Sequence, residues 1–222
     1  MNFKIQFHGV ACFSIHVGDL ILVFDPHDGK SLDLPEPTVR NADIVLCSHA
    51  HYDHDAGKHL VAAKNGKIIV EEEGNFKIKG IEIQGIKVKH GNWEDWGYTI
   101  VYSVRFFDDL IFIHLGDMGY VPTSFELNSI LTLGRPDVIF IPIGGTYVLN
   151  AKDAITTVKM INPKITSIVF HYLYGPLLTR DDFKGMTTEE PFLDLAASET
   201  TILNDWVYTS EMKAKKYLIF KT

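Results

Sequence analysis

Hydrophobic residues at the start of the chain recur in three short runs separated by glycines. Between Phe3 and Pro26 these runs are FKIQFHG, CFSIHVG and LILVFDP. They mix alternating and continuous apolar positions, which is typical of strands, and the glycines mark tight turns between them. The pattern predicts an antiparallel meander that begins a sheet.

Two different patterns meet in the segment that follows. The run DIVLCS, from Asp43 to Ser48, is apolar, short and bounded by polar residues, as a buried strand would be. The sequence DAGKHLVAAK behind it has helical spacing at Ala56, Leu60 and Ala63. We therefore expect a strand to give way to a helix across the stretch SHAHYDHDAG.

The rest of the pattern predicts strands first and then alternating strands and helices. The predicted strands of the middle region are KIIVEEE, NFKIKG, IEIQGIKVKH, GYTIVYSVR and DLIFIHLGD. The triplet Glu71 to Glu73 is typical of a solvated turn. Beyond Gly119 the chain predicts a strand, a helix and a strand in DVIFIPIGG, AKDAITTVKMI and TSIVFHY.

The helix AKDAITTVKMI has clear start and stop signals. Its apolar stripe consists of Ala151, Ala154, Ile155, Val158 and Ile161. Asn150 is the expected N-cap, with Asp153 three residues on, and Pro163 lies just past the end. No tandem repeat or linker interrupts the sequence, so we expect one domain over residues 1–222.

Composition narrows the class of protein. The chain has 222 residues, of which 46% are hydrophobic and 22% charged, as in soluble globular proteins. No apolar run approaches the roughly 20 residues that span a bilayer, and MNFKIQFHG alternates instead of showing a signal-peptide pattern. We therefore expect a cytoplasmic protein without a membrane partner. Cys12 and Cys47 lie in apolar runs and are expected to be buried free thiols.

The net charge of −7 disfavours nucleic acid as a partner, because such binding depends on clustered lysine and arginine. The one short basic cluster, Lys213, Lys215 and Lys216, is expected to be a solvated turn. A small-molecule substrate is the expected partner, and the sequence is also compatible with a homo-oligomer.

Candidate chemistry concentrates in SHAHYDHDAG, which places His49, His51, Asp53 and His54 within six residues. Residues two apart at a strand end point the same way, so His49 and His51 can offer imidazoles to one ion. Asp53 and His54 then fall in the turn, where Asp53 or Asp55 also suits a helix start. The alternative is a polar turn with surface histidines.

Three more candidate ligands lie far from this motif in the sequence. His90, Asp117 and His171 each follow an apolar strand, where sheet-built active sites collect their functional groups. A structural role would explain each one taken alone. Together with the motif they indicate a metal site assembled along one edge of a sheet.

This series of motifs resembles the metallo-β-lactamase superfamily over nearly the full chain. Its elements are H-x-H-x-D-H, a lone His, the Asp of an apolar-GD turn, and a last His that closes an apolar strand. The stretches HGVACFSI, LILVFDP and IPIGGTYVLNAKDA are similar to the branch that contains ascorbate-phosphate lactonase and related metal-dependent hydrolases. The resemblance implies an α+β (α/β) fold, a four-layer αββα sandwich with helices on both outer faces of two stacked sheets.

The resemblance also implies a dinuclear site and a ligand set. His49, His51 and His90 would hold the first metal, Asp53, His54 and His171 the second, and Asp117 would bridge them. These donors suit two divalent transition-metal ions, with Zn²⁺ expected and Mn²⁺ or Fe²⁺ as alternatives. Two ions about 3.5–4 Å apart share a water or hydroxide that attacks a small ester, lactone or phosphoester. Asp53 would be the catalytic side chain that accepts or passes a proton.

Other residues have two interpretations each. Asp25 resembles the buried aspartate that orients metal ligands in this family, but a turn before Pro26 also explains it. Pocket lining is one interpretation of His8, His27, Tyr147 and Tyr172, and Gly144 and Gly145 suit either a backbone approach to substrate or a tight turn. We expect His16, His59 and His114 to be structural. The 172–190 insertion, with Arg180, Asp181 and Asp182, is expected to supply pocket walls.

Two other functions fit the same motifs. A mononuclear iron dioxygenase on this fold keeps the same histidines, and a non-catalytic metal-dependent binding protein would keep the ligands without turnover. The di-iron flavoproteins of the superfamily are disfavoured because they have a glutamate where this chain has His51, and a flavodoxin-like domain for which 222 residues leave no room.

Overall fold

The computed structural model of the protein describes residues 2–91 and 96–222. In this part of the chain, fourteen strands form two sheets. The strands of the first sheet are β1 (Phe3–Gly9), β2 (Cys12–Val17), β3 (Leu20–Phe24), β4 (Ala42–Cys47), β5 (Ala62–Val70) and β13 (Val207–Thr209), in the order β13-β1-β2-β3-β4-β5. The predicted meander is confirmed, since β1, β2 and β3 pair antiparallel in sequence.

The second sheet contains the remaining eight strands. These are β6 (Gly74–Ile78), β7 (Ile81–Lys89), β8 (Tyr98–Arg105), β9 (Ile111–His114), β10 (Val138–Pro142), β11 (Thr166–Phe170), β12 (Thr200–Leu203) and β14 (Tyr217–Phe220), in the order β12-β14-β11-β10-β9-β8-β7-β6. Strands β9, β10 and β11 are parallel, so their carboxyl ends lie along the same edge of the sheet.

The two sheets pack face to face through aromatic side chains. Phe13 of β2 meets Phe140 of β10 with ring centroids 4.6 Å apart, and Phe3 of β1 meets Phe112 of β9 edge-on at 5.3 Å. Such tilted and edge-on pairs are the favoured aromatic geometries in cores. The interior between the sheets is therefore one continuous apolar layer.

Helices cover both outer faces. The five α-helices of the described residues are α1 (Tyr52–Asp55), α2 (Lys58–Val61), α3 (Ser124–Ile130), α4 (Ala151–Ile161) and α5 (Glu190–Ala196). Helix α2 packs on β4 and β5 of the first sheet, whereas α3 packs on β7 and β8 of the second. This is the predicted αββα sandwich. None of these helices is long and apolar enough to cross a membrane.

The predicted helix behind the histidine motif is wrong in its length. The chain forms two single turns, α1 and α2, and then enters β5 at Ala62, where the sequence had suggested helix as far as Ala63. Gly57 separates the two turns because its backbone packs so close to His27 that a Cβ would lie 2.1 Å from the His27 carbonyl oxygen. Pairing of Ala62 with Ala42 of β4 then outweighs the local helical spacing.

Other local predictions are confirmed. Asn150 caps α4, with its side-chain oxygen accepting a hydrogen bond from the Asp153 amide at 3.0 Å. The triplet Glu71 to Glu73 is an exposed turn, as is the region of Lys213 to Lys216. Cys12 and Cys47 are buried free thiols.

Candidate metal centre

The seven predicted ligands come together at the strand ends. In the first sheet, β4 leads to His49 and His51, and α1 carries Asp53 and His54. In the second sheet, β7, β9 and β11 lead to the others, which are His90, Asp117 and His171. Backbone contacts fix two of these loops to each other, since the Gly91 amide donates to the Asp117 carbonyl at 3.0 Å. Both sheets thus contribute to one cluster.

One carboxylate oxygen lies at the centre of this cluster. The Oδ2 atom of Asp117 is 3.3 Å from the Nε2 atoms of His54 and His90, and 3.7 Å from those of His49 and His171. Imidazole nitrogens from residues that follow strands of both sheets therefore surround this oxygen. This is the position that a carboxylate shared by two ions would take.

The remaining donors divide into two flanks. On one side, ligand atoms of His49, His51 and His90 lie within 4.8 Å of one another. On the other side, Asp53, His54 and His171 meet the same limit, with Asp53 Oδ2 3.4 Å from His54 Nε2 and 3.5 Å from His171 Nε2. Five of these six side chains are buried, and His51 is exposed to solvent.

Asp25 fixes the orientation of the histidine motif from behind. Its carboxylate accepts hydrogen bonds from the Ser48 amide at 2.6 Å and the Ser48 hydroxyl at 2.8 Å, and it lies 2.9 Å from His54 Nδ1. Because the Ser48 hydroxyl already donates to Asp25, it accepts from His49 Nδ1 at 2.9 Å. Both imidazoles therefore present unprotonated Nε2 atoms toward the cluster when neutral.

The charges of the cluster favour a cation. Burial would raise the pKa of Asp117 and Asp53, but the neighbouring histidines hold both pKa values well below the ordinary carboxyl range. Burial would likewise lower the pKa of His54, but Asp117, Asp53 and Asp25 raise it well above the ordinary value. Burial keeps the pKa of His49 well below normal, so that this imidazole is neutral. Ionised carboxylates beside the neutral imidazole of His49 are donors for transition metals, and the positive charge that the carboxylates favour at His54 can be replaced by that of a metal ion.

Unpaired polar atoms test whether metal ions fit. His49 Nε2, both ring nitrogens of His90 and Asp117 Oδ1 are buried without a hydrogen-bond partner among the described residues. Buried polar atoms rarely remain unpaired, because each costs about 1–3 kcal/mol. Every ion-pair partner of Asp53 and Asp117 in the same part of the chain is a histidine. The residues therefore fit bound metal.

The cluster opens into a cavity of ≈ 390 Å³. Its floor consists of candidate ligands, namely His51, Asp53, His90, Asp117 and His171. The walls are Ala50, Tyr52, Tyr147, Asp182 and Phe183. The interpretation of Tyr147 as a pocket residue is confirmed, as is the expectation that the 172–190 insertion forms part of the wall.

Five residues considered for the pocket do not line the cavity, namely His8, His27, Gly144, Gly145 and Tyr172. His27 is committed to structure, since its Nε2 donates to the His8 carbonyl and its Nδ1 accepts from the Gly29 amide. His8 bonds to Ser14, and the Tyr172 hydroxyl donates to the Phe220 carbonyl. Gly144 and Gly145 do not line the cavity, and Gly144 instead allows close packing, because a Cβ there would lie 2.4 Å from the His171 carbonyl oxygen.

The three histidines expected to be structural stay outside the cavity. His114 is fully buried and stacks on Phe24 with ring centroids 4.8 Å apart, and burial lowers its pKa to about 4. His16 is half-buried and bonds to Ser14, and His59 is exposed on α2.

Sequence reasoning missed Tyr52, Phe183 and the supporting role of Ser48. Ser48 stands directly before the histidine motif at a strand end, which was the available signal. Phe183 lies in a 3-10 turn, Asp181–Phe183, where the direction of a side chain does not follow from periodicity.

Comparison with known proteins agrees with this geometry. A family model described as a beta-lactamase superfamily domain matches residues 4–167. The chain belongs to the metallo-β-lactamase superfamily. Within it, the chain is a member of the UPF0173 metal-dependent hydrolase family, being 31% identical to the relative of that name from Thermoplasma acidophilum, with 81% of this chain and 88% of the relative covered.

Two solved structures share the architecture. A Thermotoga maritima protein described as a Zn-dependent hydrolase of the metallo-β-lactamase superfamily is 26% identical and matches with a TM-score of 0.75, covering 98% of both chains. CmlA, a diiron β-hydroxylase from Streptomyces venezuelae, matches with a TM-score of 0.61 at 12% identity, over 86% of this chain and 49% of its own. The second likeness shows the fold alone, so the fold does not decide between hydrolysis and oxidation.

Proposed function

We propose that this chain is a hydrolase that binds two divalent transition-metal ions and cleaves a small ester, lactone or phosphoester. The likeness to the lactonase-containing branch is part of this proposal. One ion would be held by His49, His51 and His90, the other by Asp53, His54 and His171, with Asp117 shared. The observation that carries it is the convergence of four imidazole nitrogens on Asp117 Oδ2. The donor set suits Zn²⁺ first, and also Mn²⁺ or Fe²⁺.

The ions would supply Lewis acidity, which lowers the pKa of water and polarises the oxygen of the scissile group. The protein positions the reactants and handles the proton. Asp53 lines the cavity with an ionised carboxylate, so it can accept a proton from the attacking water and pass it to the leaving group. Asp25 and Ser48 keep the neighbouring imidazoles in one orientation.

The proposal is tested by comparing Asp53→Asn with Asp55→Asn. Both aspartates belong to α1, but Asp55 pairs with Lys58 at 2.6 Å and does not line the cavity. With zinc or manganese restored, we expect Asp53→Asn to lower kcat on a panel of esters, lactones and phosphoesters by about 10²–10⁴-fold, and Asp55→Asn to leave it close to wild type. Metal content by elemental analysis accompanies each assay.

The same assay separates the alternative functions. Turnover that persists without oxygen supports hydrolysis, because water is the only co-reactant it needs. Oxygen consumption coupled to substrate loss with iron alone would support the dioxygenase instead. Ligand binding without product under any metal would support the non-catalytic binding protein, and equal activity of Asp53→Asn and wild type would reject the role of Asp53.

A further inference from the structure

Two aromatic residues, Phe183 and Tyr147, line the cavity together with the candidate ligands. Phe183 is buried at 5% exposure, and its ring centroid lies 6.1 Å from that of His171. Tyr147 packs against Trp96 in a tilted contact with ring centroids 4.7 Å apart, which fixes its ring from the side. Rings already held by neighbours lose little rotamer freedom when a ligand binds. These two side chains therefore offer a preformed apolar contact surface beside the metal centre.

The charged part of the wall repels anions. Asp182 accepts two hydrogen bonds from Arg180, at 3.0 and 2.8 Å, and a third from the Tyr52 hydroxyl. Arg180 also pairs with Asp33 at 3.2 Å, so one guanidinium serves two carboxylates and this group carries a net negative charge. Hydrogen bonds from Arg180 are the main cause that lowers the pKa of Asp182, which stays ionised.

No described lysine or arginine lines the cavity. The sequence of residues 92–95, Asn-Trp-Glu-Asp, lies outside the described part and contains neither. Arg180 lies beside this wall through Asp182, but three of its five N–H donors already bind Asp182 and Asp33. A phosphoester, which keeps a negative charge at neutral pH, would find attraction only at the metal ions.

We propose that the cavity selects neutral carboxylic esters or lactones that carry a flat apolar group, with Phe183 and Tyr147 in contact with that group and Asp182 excluding anions. This inference rests on the proposed hydrolase function. Hydrolysis would form a bond from the water oxygen to the acyl carbon and break the acyl C–O bond, giving an alcohol, a carboxylate and one proton. The new carboxylate would be repelled by Asp182, which favours its release.

Binding of unreactive analogues tests the apolar contact. The probes are 3,4-dihydro-2-quinolinone, a six-membered lactam fused to a benzene ring, and δ-valerolactam, which lacks that ring. By calorimetry on the zinc-loaded protein, we expect the fused lactam to bind about tenfold more tightly, from the additional apolar area buried. Phe183→Ala should remove most of this difference, while Phe183→Leu, which keeps an apolar side chain in the core, should retain part of it. Equal affinity of the two lactams for wild type would overturn the contact.

Kinetics test the exclusion of anions. Asp182→Asn keeps an oxygen that can accept from Arg180 but removes the charge, and Asp181→Asn removes a neighbouring exposed charge outside the cavity. With dihydrocoumarin and bis(p-nitrophenyl) phosphate as substrates, Asp182→Asn should raise the phosphodiester-to-lactone ratio of kcat/KM about tenfold. Asp181→Asn should change the ratio less than twofold, because Asp181 does not line the cavity and solvent and salt screen its charge from the substrate. An unchanged ratio in Asp182→Asn would overturn the role of Asp182.

The two proposals fail in different ways. Wild-type protein that hydrolyses the phosphodiester with a higher kcat/KM than dihydrocoumarin would overturn the substrate class and leave the hydrolase intact. Zinc-loaded protein that turns over neither compound, nor any member of the wider panel, would overturn both.

Discussion

A single buried carboxylate, that of Asp25, organises the histidine motif without lining the cavity. This carboxylate is fully buried. It accepts hydrogen bonds from the Ser48 amide and hydroxyl, and it lies 2.9 Å from His54 Nδ1. Burial would raise its pKa, but His54 and His114 outweigh burial and lower it, so the group stays ionised. The backbone at Asp25 has φ of +43°, a region that asparagine tolerates better than most residues.

We therefore expect Asp25→Asn to keep the backbone but weaken the network. Loss of the charge beside His54 should lower the free energy of unfolding of the metal-free protein by about 3 kcal/mol at pH 7, measured with urea in the presence of a chelator. Zinc affinity should fall about 10–100-fold, because the imidazoles lose their fixed orientation.

Asp33→Asn is the matched control. Asp33 also has a positive φ, of 56°, but its side chain is 76% exposed, so its removal should cost less than about 1 kcal/mol. An Asp25→Asn protein with the stability and zinc affinity of wild type would show that Asp25 only begins the turn before Pro26.

Residue types predicted well which candidate donors lie together, and predicted the cavity wall poorly. His90, Asp117 and His171 were visible because each follows an apolar strand, and strand ends point to a shared edge. Asp182 and Phe183 reach the cavity from an irregular segment in which neighbouring side chains point in different directions. His8 and His27 lie beside the expected edge but turn toward internal hydrogen bonds, which residue type alone does not reveal.

At the scale of elements, Asp43 joins the two sheets. Its Oδ2 accepts from the Ile21 amide of β3 at 2.8 Å, and Oδ1 pairs with Lys79 in the turn between β6 and β7. Burial would raise its pKa, but Lys79 and the Ile21 amide lower it below the ordinary value of 3.8. A carboxyl with a lowered pKa in the folded state stabilises the fold above its unfolded pKa, and this stabilisation is lost as pH falls through the folded value.

We expect Asp43→Asn to lower the free energy of unfolding by about 1 kcal/mol at pH 7, since the partly exposed pair with Lys79 is weakened by solvent. The difference from wild type should begin to narrow as pH falls below about 4, where the unfolded chain takes up a proton first, and should disappear only below the folded pKa, where Asp43 is protonated in both states. Urea unfolding across this range measures it. Asp19→Asn, in the exposed turn between β2 and β3, is the control. A difference in unfolding free energy between Asp43→Asn and wild type that persists unchanged at low pH would contradict the ionic origin of this stabilisation.

Helix α3 and strand β13 were not predicted, and their formation depends on different kinds of interaction. Helix α3 has a local signal, the capping box of Thr123 and Glu126, in which each side chain bonds to the backbone amide of the other. Strand β13 has none of comparable strength, because its place is set by pairing Ile5 of β1 with Tyr208 across the length of the chain. Periodicity identifies a strand, but the strand with which a short C-terminal strand pairs depends on tertiary packing.

At the scale of the molecule, the proposed centre links the two sheets. His49 follows a strand of the first sheet, while His90 and His171 follow strands of the second. Ions bound only by the folded state stabilise it by mass action, by about 2.7 kcal/mol at a free concentration of 100 times Kd. For a chain of this size that corresponds to a rise in Tm of roughly 5–11 °C.

We therefore expect protein from metal-replete growth to carry close to two transition-metal ions per chain and to lose that increment of Tm after chelation. His90→Ala and His171→Ala remove a donor from opposite flanks, so each should lower the metal content toward one ion and retain part of the zinc-dependent rise in Tm. His59→Ala, on the exposed side of α2, should bind and melt like wild type. Elemental analysis and thermal melts with and without zinc measure these effects. Less than half an ion per wild-type chain would contradict a centre that joins the sheets. Full metal content and unchanged melting in both His90→Ala and His171→Ala would contradict it as well.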